Sequence, residues 1–176
     1  RMIELFYADT PNVFKVSIAL EETGLPYKRT PISLPDKQQF QPHFVAVNPN
    51  SKIPAIIDHD PPDRGVPVSV FESGAILLYL AERSGRFLPL ELRPRYEVVT
   101  WLMWQMAGFG PNLGQANHFL TMAPADLPYA RERFAKEATR LYGVLDRRLE
   151  GRDYICGAYS IADMACWPWL LYRDLH

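Results

Sequence analysis

Residues 50–57 and 71–76 have the side-chain types and the order that a peptide-binding site needs. The first run, NSKIPAII, carries a proline inside an apolar stretch, where it removes one hydrogen-bond donor from a sheet. A cis bond between Ile53 and Pro54 would turn the backbone sharply and leave the amide of Ile53 for another partner. Taken alone, this run is better explained by a tight turn before a strand.

The second run, FESGAI, places a carboxylate and a hydroxyl at the start of an amphipathic helix. Free N–H groups and the helix dipole attract anions there. An extended peptide held at Ile53 would have its terminal carboxylate at Ser73 and its amine beside Glu72. An ordinary helix cap also explains this run by itself, but the order and spacing of the two runs favour a peptide site.

The elements that position these runs are predicted to form an α/β domain over residues 1–85. Pro31 and Pro67 confine their strands to sheet edges, which predicts a four-stranded mixed sheet in the order 2-1-3-4. A βαβ unit followed by ββα is the thioredoxin-like arrangement. The predicted elements are strand 2–7, helix 11–23, strand 27–32, strand 54–58, strand 66–71 and helix 73–84.

The rest of the chain is predicted to be helical. Residues 86–94 are interpreted as a linker because Pro89 and Pro94 interrupt the pattern, so the second domain would cover residues 95–176. Ser160 and Asp163 form a capping-box variant at the start of the last helix. The predicted helices are 95–120 with a kink at 108–111, then 127–149, then 161–171.

The amino-acid composition and net charge argue against several classes of function. Of the 176 residues, 48% are hydrophobic and 22% charged, as in ordinary globular domains, and the net charge of −1 gives no reason to bind nucleic acid or an anionic membrane. No apolar stretch approaches the length of a membrane span. Cys156 and Cys166 form no CxxC motif, and the scattered histidines form no metal spacing, so we expect a reduced, cytoplasmic protein without a metal site.

Several longer motifs together resemble one known family. The motifs are TPN at 10–12, FESGAILLYL at 71–80, PYA at 128–130, and SIADMACWPW at 160–169. They are similar to the cytosolic glutathione transferase superfamily, and more closely to its nu class of bacterial glutathione-dependent disulfide-bond reductases, relatives of the fungal nitrogen-regulation prion protein. The resemblance implies glutathione as co-substrate, an extended tripeptide with an α-amino acid at one end. Such chains usually continue for a few helices past Trp169, so an incomplete helical domain is expected.

The resemblance implies a site that stabilises the glutathione thiolate near the start of the first helix. A free thiol has a pKa of about 8.5 and is mostly protonated at neutral pH. Thr10 and Asn12 are the candidate donors, aided by the helix dipole. Thr10 is explained equally well as a helix cap. Tyr7 lies where other transferase classes keep a catalytic tyrosine, but in this class packing below the site is the preferred interpretation.

The remaining site residues also follow from the resemblance. Gln39 and Lys52 would reach the glycyl end of glutathione, Ile53 and Pro54 its cysteinyl backbone, and Glu72 and Ser73 its γ-glutamyl group. Solvated side chains are the simpler alternatives for Gln39 and Lys52.

Three residues of the helical half complete the predicted site. Arg133 resembles a residue that reaches the ligand from its own or from a neighbouring subunit, although a solvated arginine is equally consistent with its helix. Trp104 and Phe109 are candidates for a second-substrate pocket, with core packing as the alternative.

Three functions remain open at this stage. The first is a disulfide reductase that uses bound glutathione, the second a transferase that conjugates glutathione to electrophiles, and the third a non-catalytic glutathione-binding scaffold. Asn12 favours the first function. Tyr7, at the end of the first strand, is interpreted as a packing residue and so does not supply the strong tyrosine donor of other transferase classes. Apolar surface on the aromatic-rich helix and the sheet edge predicts a homodimer.

Overall fold

A computed structural model describes residues 2–175 of the chain. These residues divide into two compact units, the first ending at Leu88 and the second beginning at Pro89.

The first unit is a four-stranded mixed sheet with helices. Strand β2 runs parallel to β1, while β3 is antiparallel to both β1 and β4, and the strand order is β2-β1-β3-β4. The predicted thioredoxin-like sheet and its strand order are therefore confirmed. Its elements are β1 (Ile3–Tyr7), α1 (Pro11–Thr23), β2 (Tyr27–Pro31), a 3-10 turn (Gln38–Phe40), α2 (Pro42–Val45), β3 (Ala55–Asp58), β4 (Val68–Phe71) and α3 (Ser73–Ser84).

Helix α1 begins and ends where its local chemistry predicts. Thr10 has an extended backbone and its hydroxyl accepts a hydrogen bond from the N–H of Val13, while Pro11 occupies the first helical position, where no N–H is needed. At the other end, Gly24 adopts φ 69, a left-handed conformation that glycine enters without steric cost. These signals fix the residues at which α1 begins and ends.

The core of the first unit lies on both faces of the sheet. Helices α1 and α3 pack against each other. A separate cluster gathers Phe6, Ile32, Phe44 and Ala55, in which the Phe6 and Phe44 rings meet edge to face at 5.6 Å. Burial of Phe6, Ile32 and Phe44 holds the sheet ends in place, since each of these side chains contributes roughly 1.5–3 kcal/mol relative to an exposed position.

The second unit is helical, as expected, but its first helix differs from the prediction. The helix begins at Leu92 because Pro94 lies in the first turn, where a missing N–H costs nothing. The predicted kink near Pro111 is a π-helical turn, since Pro111 cannot donate to the carbonyl of Ala107. The elements are α4 (Leu92–Trp104), a π turn (Gln105–Phe109), α5 (Gly110–Asn117), a second π turn (His118–Met122), α6 (Pro128–Leu149), α7 (Ile161–Leu170) and a 3-10 turn (Arg173–Leu175).

The start of α7 has the predicted capping box. The Ser160 hydroxyl accepts a hydrogen bond from the N–H of Ala162, and the Asp163 carboxylate accepts one from the N–H of Ser160 at 2.9 Å. The other oxygen of Asp163 accepts a hydrogen bond from the N–H of Ile155 at 2.9 Å. One carboxylate therefore fixes both the helix start and the loop before it.

Candidate functional site

Strand register brings the predicted ligand-binding runs to one end of the sheet in the first unit. Ala55, the first residue of β3, pairs with Phe6 near the end of β1 and with Phe71 at the end of β4. The residue before Ala55 therefore lies beside the residues that follow these two partners. Pro54 and Glu72 are neighbours for this reason, although they are 18 positions apart in the chain.

The bond between Ile53 and Pro54 is cis, as predicted. Within residues 2–175, the N–H of Ile53 donates to no protein group. Asn48 shapes the approach to this bond: its side-chain N–H donates to the carbonyl of Lys52 at 2.6 Å, and its side-chain oxygen accepts from the N–H of Asn50 at 2.9 Å. The loop is thus held by a buried asparagine while the amide of Ile53 is left for another partner.

Glu72 occupies a backbone conformation that only a constrained residue keeps. It precedes α3 with φ 68 and ψ 117, a region that costs a non-glycine residue about 1–3 kcal/mol. Its carboxylate is exposed, makes no helix-capping bond, and has no ion-pair partner in the described part of the chain. The side chain therefore serves neither as a cap nor as part of a salt bridge, and it can pair with a ligand cation.

Ser73, the first residue of α3, is contacted by a lysine that the sequence analysis did not select. Ser73 is buried, and its hydroxyl oxygen accepts a hydrogen bond from the ammonium of Lys15 at 3.3 Å. Lys15 is 1% exposed and lies on the core-facing side of α1 with Val16 and Ala19. The sequence did contain a signal for this contact. Lys15 falls among the apolar positions of α1, and such positions rarely hold an unpaired charge.

Helix α3 is tied to the sheet at the opposite end of β3 by a buried acid. Asp58 is fully buried and accepts a hydrogen bond from the Tyr79 hydroxyl at 2.6 Å. The Arg83 Nε lies 3.0 Å from the same carboxylate, out of line for a hydrogen bond, so this contact is Coulombic. Burial and the bond to Asp58 raise the pKa of Tyr79. These contacts fix the helix that carries Ser73, and the sequence analysis missed them.

The predicted thiolate donors lie at the start of α1. The Thr10 hydroxyl oxygen caps the helix, which is one of the two roles considered for it. Asn12, at the second helical position, is half-buried. The guanidinium of Arg29 lies over the Tyr7 ring, 5.3 Å from its centroid, so Tyr7 has a packing partner on β2.

The side chains of Gln39 and Lys52 differ in burial. Gln39 belongs to the 3-10 turn, and its side-chain oxygen is buried without a hydrogen-bond partner among residues 2–175. A buried acceptor with no partner is costly, so this oxygen is placed to receive a donor. The Lys52 side chain is exposed and forms no ion pair with any described residue.

In the second unit, Arg133 is exposed on α6 and lines an open cavity of about 640 Å³ together with Asn112, Tyr129 and Phe134. Trp104 is half-buried and stacks on Phe109 with ring centroids 5.0 Å apart. Phe109 is completely buried, and its ring also meets Tyr142 edge to face. Phe109 is therefore a core residue, and only Trp104 keeps surface for the predicted second-substrate pocket.

Neither cysteine belongs to the first unit. Burial raises the pKa of the Cys156 thiol to about 11, with a further increase from the nearby Glu97 carboxylate. Cys166 is buried in α7.

Two other kinds of site are absent from the part of the chain that the structure describes. Among residues 2–175, no three His, Cys, Asp or Glu side chains are grouped so that they could hold a metal ion. No helix in the same range is both long and apolar enough to cross a membrane.

Comparison with known proteins places the chain in a family. Residues 3–82 match the family model described as glutathione S-transferase, N-terminal domain. The chain is 52% identical over 170 residues to the disulfide-bond oxidoreductase YfcG of Escherichia coli K12, covering 96% of this chain and 79% of that protein. It is 47% identical over 175 residues to the disulfide-bond oxidoreductase YghU of the same organism, covering 95% of this chain and 59% of that protein.

Solved structures give the same result at the level of the fold. A glutathione transferase family member from Pseudomonas fluorescens Pf-5, with two glutathione bound, has a TM-score of 0.94 and 47% identity over 99% of this chain and 77% of that one. A glutathione transferase from Pseudomonas putida, with one glutathione disulfide bound per subunit, has a TM-score of 0.93 and 45% identity over 99% and 75%. The resemblance noted in the sequence is confirmed, and this chain belongs to the glutathione transferase family of enzymes.

Proposed function

We propose that this protein binds glutathione in its first unit and uses the bound thiolate to reduce disulfides. The observation that carries the proposal is that the residue with the unused N–H, Ile53, directly precedes Pro54, which lies beside Glu72 and its unpaired carboxylate at one end of the sheet. A backbone donor and a carboxylate held one strand apart match the cysteinyl backbone and the amino group of an extended γ-glutamyl peptide.

Each part of the ligand has a matching group. The Ile53 amide would donate to the cysteinyl carbonyl, and Glu72 would pair with the γ-glutamyl amine. Ser73 and the first N–H groups of α3 would bind the adjacent carboxylate, because helix starts attract anions. The buried oxygen of Gln39 and the exposed ammonium of Lys52 are the candidates for the glycyl end.

The thiol of this ligand would lie near the start of α1. Asn12 and Thr10 would donate to the sulfur and favour the thiolate, and the positive end of the helix adds to the effect. With both cysteines in the second unit and the Cys156 thiol pKa raised to about 11, the reacting sulfur is assigned to glutathione.

The reaction would follow ordinary thiol–disulfide exchange. The bound thiolate attacks one sulfur of the substrate disulfide, forms a mixed disulfide and releases one substrate thiolate. A second glutathione thiolate then attacks the glutathione sulfur of the mixed disulfide. This step releases the other substrate thiolate and leaves glutathione disulfide, so two glutathione molecules are oxidised for each disulfide reduced. The glutathione disulfide in the Pseudomonas putida relative and the name given to YfcG support this assignment.

Two assays on the purified protein test the proposal. We expect turnover of bis-hydroxyethyl disulfide with reduced glutathione, and little conjugation of chlorodinitrobenzene at the same enzyme concentration. Asn12→Ala should lower the disulfide rate, while Thr139→Ala, an exposed position on α6, should leave it unchanged. Conjugation that exceeds disulfide turnover would instead assign the chain as a conjugating transferase, and glutathione binding without either activity would assign it as a scaffold.

A further inference from the structure

A single peptide unit carries the unused amide of the proposed site on one side and a hydrogen bond from a buried side chain on the other. The carbonyl of Lys52 accepts a hydrogen bond from the side-chain N–H of Asn48 at 2.6 Å. The N–H of Ile53 belongs to the same peptide unit and donates to no protein group among residues 2–175. The two groups are therefore parts of one rigid plane.

The geometry of that plane fixes where the N–H of Ile53 points. Ile53–Pro54 is the only cis bond among residues 2–175, so the bond between Lys52 and Ile53 is trans. In a planar trans unit, the C=O and N–H bonds point in opposite directions. A hydrogen bond that holds the carbonyl of Lys52 on the side of Asn48 therefore directs the N–H of Ile53 away from Asn48.

Asn48 can hold this plane because it is itself held on several sides. The residue is 2% exposed. Its side-chain oxygen accepts a hydrogen bond from the N–H of Asn50 at 2.9 Å, which leaves the side-chain N–H groups for Lys52. Its backbone N–H donates to the carbonyl of Phe44 at 2.9 Å, and Phe44 is a fully buried member of the core cluster with Phe6. The contact to Lys52 is thus anchored in the core of the first unit.

The same hydrogen bond also strengthens the donor. Hydrogen bonds that are connected in a chain polarise one another, by roughly 10–30% per bond. A carbonyl that already accepts a bond makes the N–H of its own peptide unit a better donor. The bond from Asn48 to Lys52 should therefore increase the strength with which Ile53 binds an acceptor.

We propose that Asn48 is a positioning residue, which aims and polarises the Ile53 amide for the cysteinyl carbonyl of glutathione. The inference rests on the proposed function and deepens it, because it restricts the preferred substrates to thiols that present a backbone carbonyl at this point. Asn48 acts on the ligand through the Lys52–Ile53 peptide unit and not by direct contact, so it is not a catalytic residue.

Calorimetry with two ligands tests the inference. Glutathione and γ-glutamylcysteamine, which lacks the cysteinyl carbonyl and the glycine, are titrated into the wild type, Asn48→Ala and Asn50→Ala. We expect Asn48→Ala to bind glutathione about tenfold more weakly, which corresponds to about 1.4 kcal/mol, and γ-glutamylcysteamine within about twofold of the wild type. Asn50→Ala is the matched control and should bind both ligands as the wild type does, because its side chain is exposed and its N–H is kept.

Asn48→Asp separates the aiming of Ile53 from support of the loop. Aspartate keeps an acceptor for the N–H of Asn50 but has no donor for the carbonyl of Lys52. It should therefore weaken glutathione binding at least as much as alanine does. Wild-type affinity in Asn48→Asp would assign Asn48 to loop support alone and overturn the inference.

Nitrogen-15 spectra report on the amide itself. The Ile53 amide proton should move downfield when glutathione binds to the wild type or to Asn50→Ala, and less than half as far in Asn48→Ala. This readout decides the matter if γ-glutamylcysteamine binds too weakly for calorimetry. An equal Ile53 shift in the wild type and in folded Asn48→Ala would overturn the inference.

The outcomes separate this inference from the proposed function. A folded Asn48→Ala protein that keeps its affinity for glutathione, or that loses affinity for both ligands equally, overturns the inference and leaves the proposed function intact. A wild type that binds no glutathione overturns both. If the Asn48 variants do not fold, the side-chain amide resonance of Asn48 in the wild type replaces them. It should shift when glutathione binds, because the hydrogen bonds are connected, and no shift would overturn the inference.

Discussion

At the scale of single residues, the site depends on groups that the protein leaves without partners of its own. The amide of Ile53, the carboxylate of Glu72 and the side-chain oxygen of Gln39 form no hydrogen bond with any group among residues 2–175. From the sequence alone, a tight turn also explains Ile53, a helix cap explains Glu72, and a solvated side chain explains Gln39. Their shared lack of internal partners favours binding roles.

Glu72→Gln should weaken glutathione binding by about 1.5–3 kcal/mol, because it removes the charge that accepts a hydrogen bond from the ligand amine. Glutamine keeps the size of the side chain and makes the same demand on φ at this position, so the fold should be unaffected. Calorimetry of glutathione binding measures the effect, and Glu82→Gln on the exposed side of α3 is the control. A dissociation constant that does not change would reduce Glu72 to a helix-dipole carboxylate.

Asn12→Ala should raise the pKa of the bound glutathione thiol toward its free value of about 8.5. Each unit of pKa corresponds to about 1.36 kcal/mol of preference for the thiolate, so turnover at neutral pH should fall while affinity changes much less. Thr10→Ala should act in the same direction and also cost about 1 kcal/mol of stability through the lost cap. Thiolate absorbance of the binary complex against pH measures the shift.

Tyr7→Phe is the discriminating variant for that experiment, since Tyr7 is assigned to packing beside Arg29. A titration curve that moves in Tyr7→Phe and not in Asn12→Ala would assign thiolate stabilisation to the tyrosine instead.

The cysteines should be dispensable for disulfide turnover. Burial raises the pKa of Cys156 from 9.0 to about 11, so its thiol stays protonated at neutral pH. Because the unfolded thiol ionises first, this shift destabilises the fold only as pH rises through and above 9. Cys156→Ser and Cys166→Ser should each keep the wild-type rate within about twofold, since both thiols lie in the second unit and the proposed reaction uses the sulfur of glutathione. A large loss of rate in either folded variant would place a protein thiol in the reaction.

At the scale of secondary-structure elements, local signals set the ends of helices and buried polar groups join one element to the next. The Asp163 carboxylate caps α7 and also holds the N–H of Ile155. Asp163→Ala should therefore reduce the free energy of unfolding by about 2–3 kcal/mol, because two hydrogen bonds to a charged acceptor are lost. Urea unfolding measures the change, and Asp163→Asn, which keeps one acceptor oxygen, should lose about half as much. A loss below about 0.5 kcal/mol for the alanine variant would show that the cap contributes little.

At the scale of the whole molecule, the second unit presents an apolar stripe along α4. Leu92, Tyr96 and Met103 are exposed at helical spacing, with Leu92 at 73%. A stripe of this kind is typical of a two-fold interface, so we expect a homodimer. Sedimentation should give twice the 20.2 kDa subunit mass at micromolar concentration.

Tyr96→Glu should shift the dimer toward monomer, because it places a charge in the stripe, whereas Thr139→Glu, at an exposed polar position of α6, should not. A wild-type protein that sediments as one subunit would contradict the expectation. It would also remove any contribution of Arg133 to a neighbouring subunit.

The sequence by itself determined the four strands, helices α1 and α3, the strand order and most of the candidate binding residues. Thr10, Pro11 and Gly24 fix α1 through backbone chemistry that acts within a few residues, and Pro31 in β2 marks an edge strand in the same local way. The FESGAI motif indicates the family because its carboxylate and its hydroxyl are adjacent in the chain at the start of one helix.

Only the tertiary structure decided how distant groups meet. Lys15 and Ser73 are 58 positions apart, and no local pattern says that a lysine in an apolar stripe ends at the start of another helix. Asp58 finds Tyr79 and Arg83 in the same way, and Phe109 proves to be core because neighbouring helices enclose it on all sides. Burial and long-range pairing depend on how whole elements pack, whereas helix ends and turns depend on adjacent residues.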